Sequence, residues 1–232
     1  MKLDQPLTVY LPDTRGVKIS PYGCGNLKIG PSVYTYSRPA GSATLYGTCP
    51  GATNECEAVC YAKRIEGPVA QVYLRNTGHV VPPIPSDCRL LRLHVSGDFD
   101  SPDYIASWIE RLTERPDVTM WVYTRSWRVP RLLPMLEQLR ALANVQMFAS
   151  MDKSHTDVPP AGWRRAWIDG DPRAGDPQRV RAHLDDPVMH NLVTFDGQHT
   201  YVCPEETKRQ PNCEACGHCF KGSTKDVTFL LH

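Results

Sequence analysis

A strand that leads directly into a turn and a helix, at residues 90–114, constrains the fold more than any other feature of this sequence. The apolar run Leu90–Val95 has the length of a buried strand and ends in the polar turn at residues 96–98. Ser101 then offers a helix N-cap, and Pro102 suits the first helical position. Apolar side chains follow with the helical period, namely Tyr104, Ile105, Trp108, Ile109 and Leu112. The segment predicts a buried strand followed by an amphipathic helix.

The same pattern of strand and helix recurs further along the chain. Short apolar runs alternate with a second helical pattern, and turn signals separate them. The predicted segments are the strands Val118–Thr124, Val145–Ser150, Arg165–Ile168 and Asn191–Phe195 and the helix Pro130–Ala143. Because strands that alternate with helices form βα units, the sequence predicts an α/β fold with a parallel sheet.

The length of 232 residues suits one main domain with a single core. We assign residues 1–202 to an α/β catalytic-type domain and residues 203–232 to a cysteine-rich, metal-binding extension packed on it. The domain begins with a lead-in of strands and loops that includes Leu7–Leu11 and Val33–Tyr36. Residues 65–89 are predicted to be a connector between this lead-in and the first βα unit.

Small polar or charged residues follow each predicted strand. These strand ends read Ser96-Gly97-Asp98, Thr124-Arg125-Ser126, Ser150-Met151-Asp152 and Asp169-Gly170-Asp171. Ligands of parallel α/β folds bind at the C-terminal ends of the strands, so these residues predict a polar, acid-rich site. The candidate catalytic residues are Asp98, Asp152 and His94. A hydrogen-bonded position in the core explains His94 at least equally well.

Three cysteines precede the first βα unit. Cys56 and Cys60 are four positions apart and share one face if the segment is helical, while Cys49 lies in the Pro-Gly loop before them. Three thiolates leave one coordination position of a metal open for a substrate or cofactor, as catalytic metal sites require. Cys24 is a candidate fourth ligand. Separate burial of three unrelated cysteines is the alternative interpretation.

Four further cysteines lie near the C-terminus, with nine, two and two residues between them. They are Cys203, Cys213, Cys216 and Cys219. Four thiolates in one loop that carries Pro and Gly form a complete ligand set, and zinc and a [4Fe-4S] cluster both use such sets. His218 is an alternative ligand, although its position between cysteines predicts that it points away from them. The spacing therefore predicts a closed metal site.

Composition favours metal ligation over disulfide bonds. The net charge of +1 gives no overall attraction to nucleic acid, and no apolar stretch predicts a membrane span. The first residues have no apolar core of the kind found in signal peptides, so we expect a cytoplasmic protein without a membrane partner. Disulfides are rare in that compartment, which leaves metal binding as the explanation for nine clustered cysteines.

The chain resembles a family of bacteriophage proteins called gene product 88. The resemblance rests on Cys49, Cys56 and the pair Cys60-Tyr61, then on the strand ends 93–99 (LHVSGDF) and 122–126 (VYTRS). It spans roughly residues 45–150 and implies a phage or prophage setting, with the host cytoplasm as the location. It implies no particular reaction.

A more distant resemblance is to radical S-adenosylmethionine enzymes, which have three cysteines after the first strand of a partial TIM barrel. It implies a partial or incomplete TIM-barrel-like sheet, one or two [4Fe-4S] clusters, and S-adenosylmethionine. Asp98, at the end of the second strand, then positions the cofactor amine where those enzymes carry Gly-Gly-Glu. The implied cofactor-binding residues are Ser96, Gly97, Asp98, Thr124, Arg125 and Ser150. The cysteine spacing of six and three residues departs from the usual three and two, and Asp replaces Glu.

Three hypotheses for function follow. The first is an iron–sulfur enzyme that acts on nucleic acid, a nucleotide precursor or a peptide. The second is a zinc-containing base-exchange enzyme similar to tRNA-guanine transglycosylase, with Asp98 or Asp152 as nucleophile. The third is a zinc-stapled phage binding module, in which the aromatic residues Trp121, Tyr123 and Trp127 beside Arg125 and Arg128 form a stacking surface. Core packing explains these aromatic residues about as well. The sequence fixes neither the substrate nor the oligomeric state.

Overall fold

The computed structural model describes residues 20–42, 47–64, 67–152, 157–168, 192–195 and 198–229. The predicted strand Leu7–Leu11 and the predicted strand end at residues 169–171 lie outside this part of the chain. Within it, no helix is both long enough and apolar enough to cross a membrane.

One sheet of nine strands organises the described residues, in the order β1-β2-β3-β4-β5-β6-β9-β8-β7. The strands are β1 (Gly23–Asn26), β2 (Gly30–Tyr36), β3 (Leu90–Leu93), β4 (Thr119–Thr124), β5 (Val145–Met151), β6 (Arg164–Ile168), β7 (Leu192–Phe195), β8 (Gln198–Val202) and β9 (Asp226–Phe229). Neighbouring strands from β2 to β8 in this order are parallel, whereas the outer strands β1 and β7 are antiparallel to their neighbours. The sheet is an open row, and the predicted α/β fold with a mostly parallel sheet is confirmed.

The helices of the described residues are short, apart from one. They are α1 (Asn54–Val59), α2 (Gly67–Arg75), α3 (Pro102–Glu114), α4 (Leu133–Arg140) and α5 (Cys213–Cys216), with 3₁₀ turns at Tyr61–Arg64 and Ser126–Arg128. The α3 helix begins as the sequence predicts, because the Ser101 side chain accepts a hydrogen bond from the Tyr104 N–H and proline occupies the first turn.

Several predicted boundaries are corrected. The predicted connector at 65–89 contains the helix α2, whose mixed sequence gives no clear period. The helix predicted at Pro130–Ala143 covers Leu133–Arg140 only. Strands β1 and β8 were not predicted, because β1 is rich in glycine and the first three residues of β8 are polar.

The order of the strands places the helices α3 and α4 on one face of the sheet. From β2 to β6 every connection moves in the same direction, and right-handed crossovers in one direction all lie on the same face. The two helices pack together there over the inward side chains of the strands, including Leu93, Val122 and Met147. This face holds the main hydrophobic core, which we call the helix face.

The connection from β8 to β9 runs in the opposite direction. Because β9 lies between β6 and β8, a right-handed crossover at this point falls on the other face of the sheet. That connection is the cysteine-rich segment 203–225, and it contacts apolar side chains that point away from the helix face. Phe220 packs on Trp121 with 4.9 Å between ring centroids, and Cys203 and Cys219 contact the cluster around Phe148. We call this side the cysteine face.

Candidate functional site

The turn after β3 joins the ends of β2 and β3. The Ser96 hydroxyl donates to the Arg38 carbonyl at 2.8 Å, and the Arg38 N–H donates to the Ser96 carbonyl at 2.9 Å. Gly97 has a φ of 80°, and a Cβ atom there would lie 2.7 Å from both the Arg38 Cβ and the Thr48 Oγ1. Glycine is required because the turn approaches the chain that leads to Cys49 this closely.

Asp98 connects the turn to the end of β4. Its Oδ1 accepts hydrogen bonds from the Thr124 hydroxyl at 2.6 Å and the Phe99 N–H at 2.8 Å. Its Oδ2 accepts from the Arg125 N–H at 2.8 Å. Burial raises the pKa of Asp98, while these donors lower it. The Ser126 side chain is a further donor to this carboxylate. Because a carboxylate has room for about four donors, Asp98 is satisfied by its present partners.

Asp152 connects the end of β5 to the N-terminal cysteine segment. Its Oδ2 accepts from the Arg125 guanidinium at 2.6 Å and from the Thr53 hydroxyl at 2.7 Å. Thr53 caps α1, where its hydroxyl also accepts from the Cys56 N–H at 3.0 Å. A chain of buried polar groups thus runs from Asp98 through Arg125 and Asp152 to Cys56.

The three N-terminal thiols lie close to one another beside this network. Burial raises the pKa of Cys49, and the charges of Asp98, Cys56 and Cys60 raise it further. Burial also raises the pKa of Cys56, whereas the nearby Arg125 guanidinium lowers it. Cys60 follows the last residue of α1 and has an extended backbone conformation. Cys56 and Cys60 therefore do not share the helical face that a continuous helix would give them.

Close packing fixes the N-terminal cysteine loop against the end of β4. A Cβ atom at Gly51 would lie 2.1 Å from the Arg125 carbonyl oxygen, so only glycine allows the contact. Arg125 is itself buried, and its Nη2 atom has no hydrogen-bond partner. The Arg125 guanidinium also hydrogen-bonds to the Cys56 thiol, so it places a positive charge beside the N-terminal thiols.

The described residues contain no side chains that are already arranged as a metal site. No three Cys, His, Asp or Glu side chains are arranged there so that they could hold a metal ion. Cys24 lies on the edge strand β1 opposite Tyr34, which pairs with Leu91 at the beginning of β3. It is exposed and lies at the other end of the strands from Cys49, so the structure does not bring it to the other three cysteines.

His94 is a buried core residue. Its Nε2 lies 2.9 Å from the Tyr104 hydroxyl, and its ring packs on Phe99 with 4.6 Å between centroids. Burial, together with the positive charges of Arg38 and Arg92, holds the pKa of His94 well below its usual range. The imidazole is therefore neutral at pH 7. Ser150 lies half-buried near the end of β5, on the cysteine face.

The predicted aromatic stacking surface is wrong. Trp121 is fully buried under Phe220, and Trp127 is 5% exposed. Tyr123 packs against the rings of Phe148 and Phe229. These aromatic side chains build the two cores instead of a surface, because strand residues alternate between two faces and both faces are covered.

The C-terminal cysteines surround one cavity on the cysteine face. Its lining includes Cys203, Cys213, Cys216, Cys219 and Tyr123, and its volume is about 20 Å³. The Tyr123 hydroxyl donates to the Cys219 Sγ at 2.8 Å. Burial raises the pKa of Cys203 and of Cys219 to about 12. His218 also lines the cavity, whereas the sequence predicted that it points away.

Sequence reasoning missed three residues that build the N-terminal site. Arg38 is fully buried and donates to Asp100 and to the carbonyls of residues 76 and 77. Thr48 accepts from the Asp98 N–H at 3.2 Å. The pattern around Thr53, a hydroxyl residue before an acidic first turn, is an N-cap signal that could have been recognised. Arg38 and Thr48 stand in loops without any such signal.

Comparison with known proteins identifies the family of this chain. A family model described as gene product 88 matches residues 84–222, which include β3 to β8 and the C-terminal cysteines. The gene 88 protein of Mycobacterium phage L5 is 30% identical over 179 residues, which cover 67% of this chain and 68% of that protein. The gene 88 protein of Mycobacterium phage D29 is 26% identical over 261 aligned positions, with 97% and 95% coverage. No solved structure matches. The chain therefore belongs to the gene product 88 family.

Proposed function

We propose that this protein is an iron–sulfur enzyme of the radical S-adenosylmethionine type, with Cys49, Cys56 and Cys60 as the cluster ligands. One observation carries the proposal. The three thiols gather over the C-terminal ends of parallel strands, beside a buried arginine with an unpartnered N–H. Ligands of parallel α/β folds bind at this edge.

The order of the elements supports the proposal. The cysteine segment follows β2, the first parallel strand, and the turn 96–98 follows β3, the second. These are the two positions that the resemblance to radical enzymes implies. We further infer that the sheet curves as a partial barrel, because sequential parallel strands with helices on one face are the building pattern of TIM barrels.

The chemistry of the three neighbouring thiols suits a group with three thiolate ligands and an open position, but the thiols do not stand at ligand distances, so binding would have to draw them together. The described residues include no fourth cysteine beside the three, so the fourth position is left for a cofactor. When bound, a cluster of this kind supplies the electron that cleaves S-adenosylmethionine. The six residues between Cys49 and Cys56 are accommodated because Cys49 lies in the loop that precedes α1.

The protein's own side chains supply binding and orientation for that cofactor. The Arg125 Nη2 group is placed to donate to a carboxylate, and Asp152 fixes the guanidinium from the other side. Asp98 would bind an amine only in exchange for one of its present donors. Thr124 holds the Asp98 carboxylate in place, so it acts as a positioning residue.

The base-exchange alternative finds less support in the geometry. A nucleophilic carboxylate has to reach a sugar carbon, but Asp98 is bound by three donors and Asp152 by Arg125 and Thr53. The family relatives are phage proteins, so we propose action inside an infected cell on nucleic acid or a nucleotide precursor.

The test is anaerobic purification followed by analysis of iron, acid-labile sulfide and the visible spectrum. With dithionite and S-adenosylmethionine, we expect release of 5′-deoxyadenosine. We expect the Cys56→Ala variant to stay folded and to release none, while Cys88→Ala, which changes a buried cysteine at the opposite end of β3, retains the activity. Equal cofactor cleavage by Cys56→Ala and the parent protein, or none by the reconstituted parent protein, would refute the proposal.

A further inference from the structure

The segment that covers the cysteine face has too few apolar side chains to hold itself in place. Residues 203–225 contain no Leu, Ile, Val or Met, and Phe220 is the only large apolar residue among them. Its longest helix, α5, has four residues. Segments of such composition do not bury enough apolar area to offset the entropy lost on ordering. Yet this segment covers Trp121, Val33 and Phe148. Another interaction has to fix it.

The backbone brings the four cysteines of this segment to one place from two directions. Cys203 follows β8, and its N–H donates to the Thr228 carbonyl at 2.9 Å. Cys213 and Cys216 lie on α5, which is anchored to the β1–β2 hairpin by the Cys213 N–H, 3.1 Å from the Lys28 carbonyl. Gly217 then turns the chain with a φ of 71°, so Cys219 returns to the same cavity.

The surroundings of this cavity include cations that suit a negatively charged centre, together with one carboxylate, Glu205, which pairs with Lys28 at 3.3 Å. Four thiolates on a divalent metal leave a net charge of about −2, which needs nearby cations. The Arg92 guanidinium lies 4.1 Å from the centre of the Tyr123 ring, which lines the cavity. Arg164 donates to the Cys219 carbonyl at 3.5 Å. The Tyr123 hydroxyl already donates to the Cys219 sulfur, as a group bonded to a metal thiolate does.

We propose that Cys203, Cys213, Cys216 and Cys219 form a second, closed four-thiolate metal centre that fastens the segment 203–225 to the cysteine face. The four sulfurs surround the cavity without meeting at ligand distances, so binding draws them inward. The centre has no open position and does not bind substrate. Zinc and a [4Fe-4S] cluster share this ligation, and metal analysis distinguishes them.

The decisive experiment removes the first cysteine group, so that its outcome does not depend on the function proposed above. The full-length triple variant Cys49→Ala, Cys56→Ala, Cys60→Ala is purified without oxygen and analysed for zinc, iron and sulfide. We expect about one zinc or about four iron per chain. Adding Cys216→Ser should remove that metal, while adding Cys88→Ser should leave it. A metal-free triple variant, or metal content that Cys216→Ser does not change, overturns the proposal.

A second measurement on the parent protein covers the case in which Cys216→Ser fails to fold. Cys213 and Cys216 are half-exposed and Cys24 is exposed, so without metal all three thiols are open to alkylation. With metal bound, we expect Cys213 and Cys216 to react roughly tenfold or more slowly than Cys24 until a chelator is added. Equal alkylation rates, or recovery of the four cysteines as two disulfides, would also overturn the proposal.

Discussion

The two cysteine groups of this protein lie on one sheet but are held in different ways. The N-terminal group lies at the ends of the strands, and the buried polar network of Asp98, Arg125, Asp152 and Thr53 fixes it. The C-terminal group lies over the cysteine face, and the segment that carries it is poor in apolar residues and contains no helix longer than four residues. The first group is therefore ordered by the fold, whereas we propose that a bound metal orders the second.

The largest effect is expected from removal of the carboxylate that organises the N-terminal site. Asp98→Ala leaves three buried donors without an acceptor, so we expect a loss of about 3–5 kcal/mol in the free energy of unfolding. Urea unfolding measures it. The control Asp157→Ala breaks an exposed ion pair with Arg128 and should cost no more than about 1 kcal/mol. Faster alkylation of Cys56 but not of Cys213 in Asp98→Ala would strengthen the conclusion that the two cysteine groups are held in different ways. Equal losses of unfolding free energy in Asp98→Ala and Asp157→Ala would contradict it.

The second-largest loss of stability is expected from a substitution in the tightly packed turn after β3. Gly97→Ala adds a Cβ atom against Arg38 and Thr48 at a positive φ, so we expect a loss of about 2–4 kcal/mol. Gly222→Ala is the matched control, because its φ is 77° and no atom lies within 4 Å of the added Cβ. It should cost about 1–2 kcal/mol. If the two variants unfold at the same urea concentration, the turn does not pack as tightly as described.

The buried histidine His94 should make the stability of the protein depend on pH. His94 stays neutral in the folded protein, whereas in the unfolded chain it binds a proton below its ordinary pKa of about 6.5. The unfolded state therefore gains protons as the pH falls, and stability decreases. Between pH 7 and pH 5 we expect His94 to account for a loss of about 2 kcal/mol. The difference between the parent protein and His94→Gln over this range measures it. His79→Gln, at a side chain that is 53% exposed, is the control, and an identical pH profile for all three would contradict the assignment.

The smallest effect is expected on the cysteine face. Tyr123→Phe removes the hydrogen bond to the Cys219 sulfur and should cost about 0.5–1.5 kcal/mol. It should also slow alkylation of Cys219 in the metal-free protein, because the Tyr123 hydrogen bond lowers the pKa of the Cys219 thiol. Cys56 should not change, so the effect is confined to the C-terminal group, whereas that of Asp98→Ala is confined to the N-terminal group. Tyr34→Phe, which removes an exposed hydrogen bond to Asp87, should alter neither thiol. A change at Cys56 in Tyr123→Phe would show that the two groups are coupled.

Periodicity predicted the βα units well, because local sequence decides them. The strand β4, the N-cap of α3 at Ser101 and the apolar face of that helix follow from residue spacing alone. Helix α2 and strands β1 and β8 escaped prediction because their apolar residues have no clear period. The candidate site was found in outline from its polar strand ends. Its organisers Arg38 and Thr48 were not, because their partners are distant in sequence.

The sequence by itself determined which residues are candidates for a functional site, namely two groups of cysteines and a series of polar strand ends. Residue type and spacing are sufficient for that, since a thiolate ligand or a helix cap is a local property. Only the tertiary structure decided that the two cysteine groups occupy different parts of one sheet. Strand β9 lies between β6 and β8, so the connection from β8 to β9 runs in the opposite direction along the sheet. A right-handed crossover in that direction places segment 203–225 on the face that α3 and α4 do not cover.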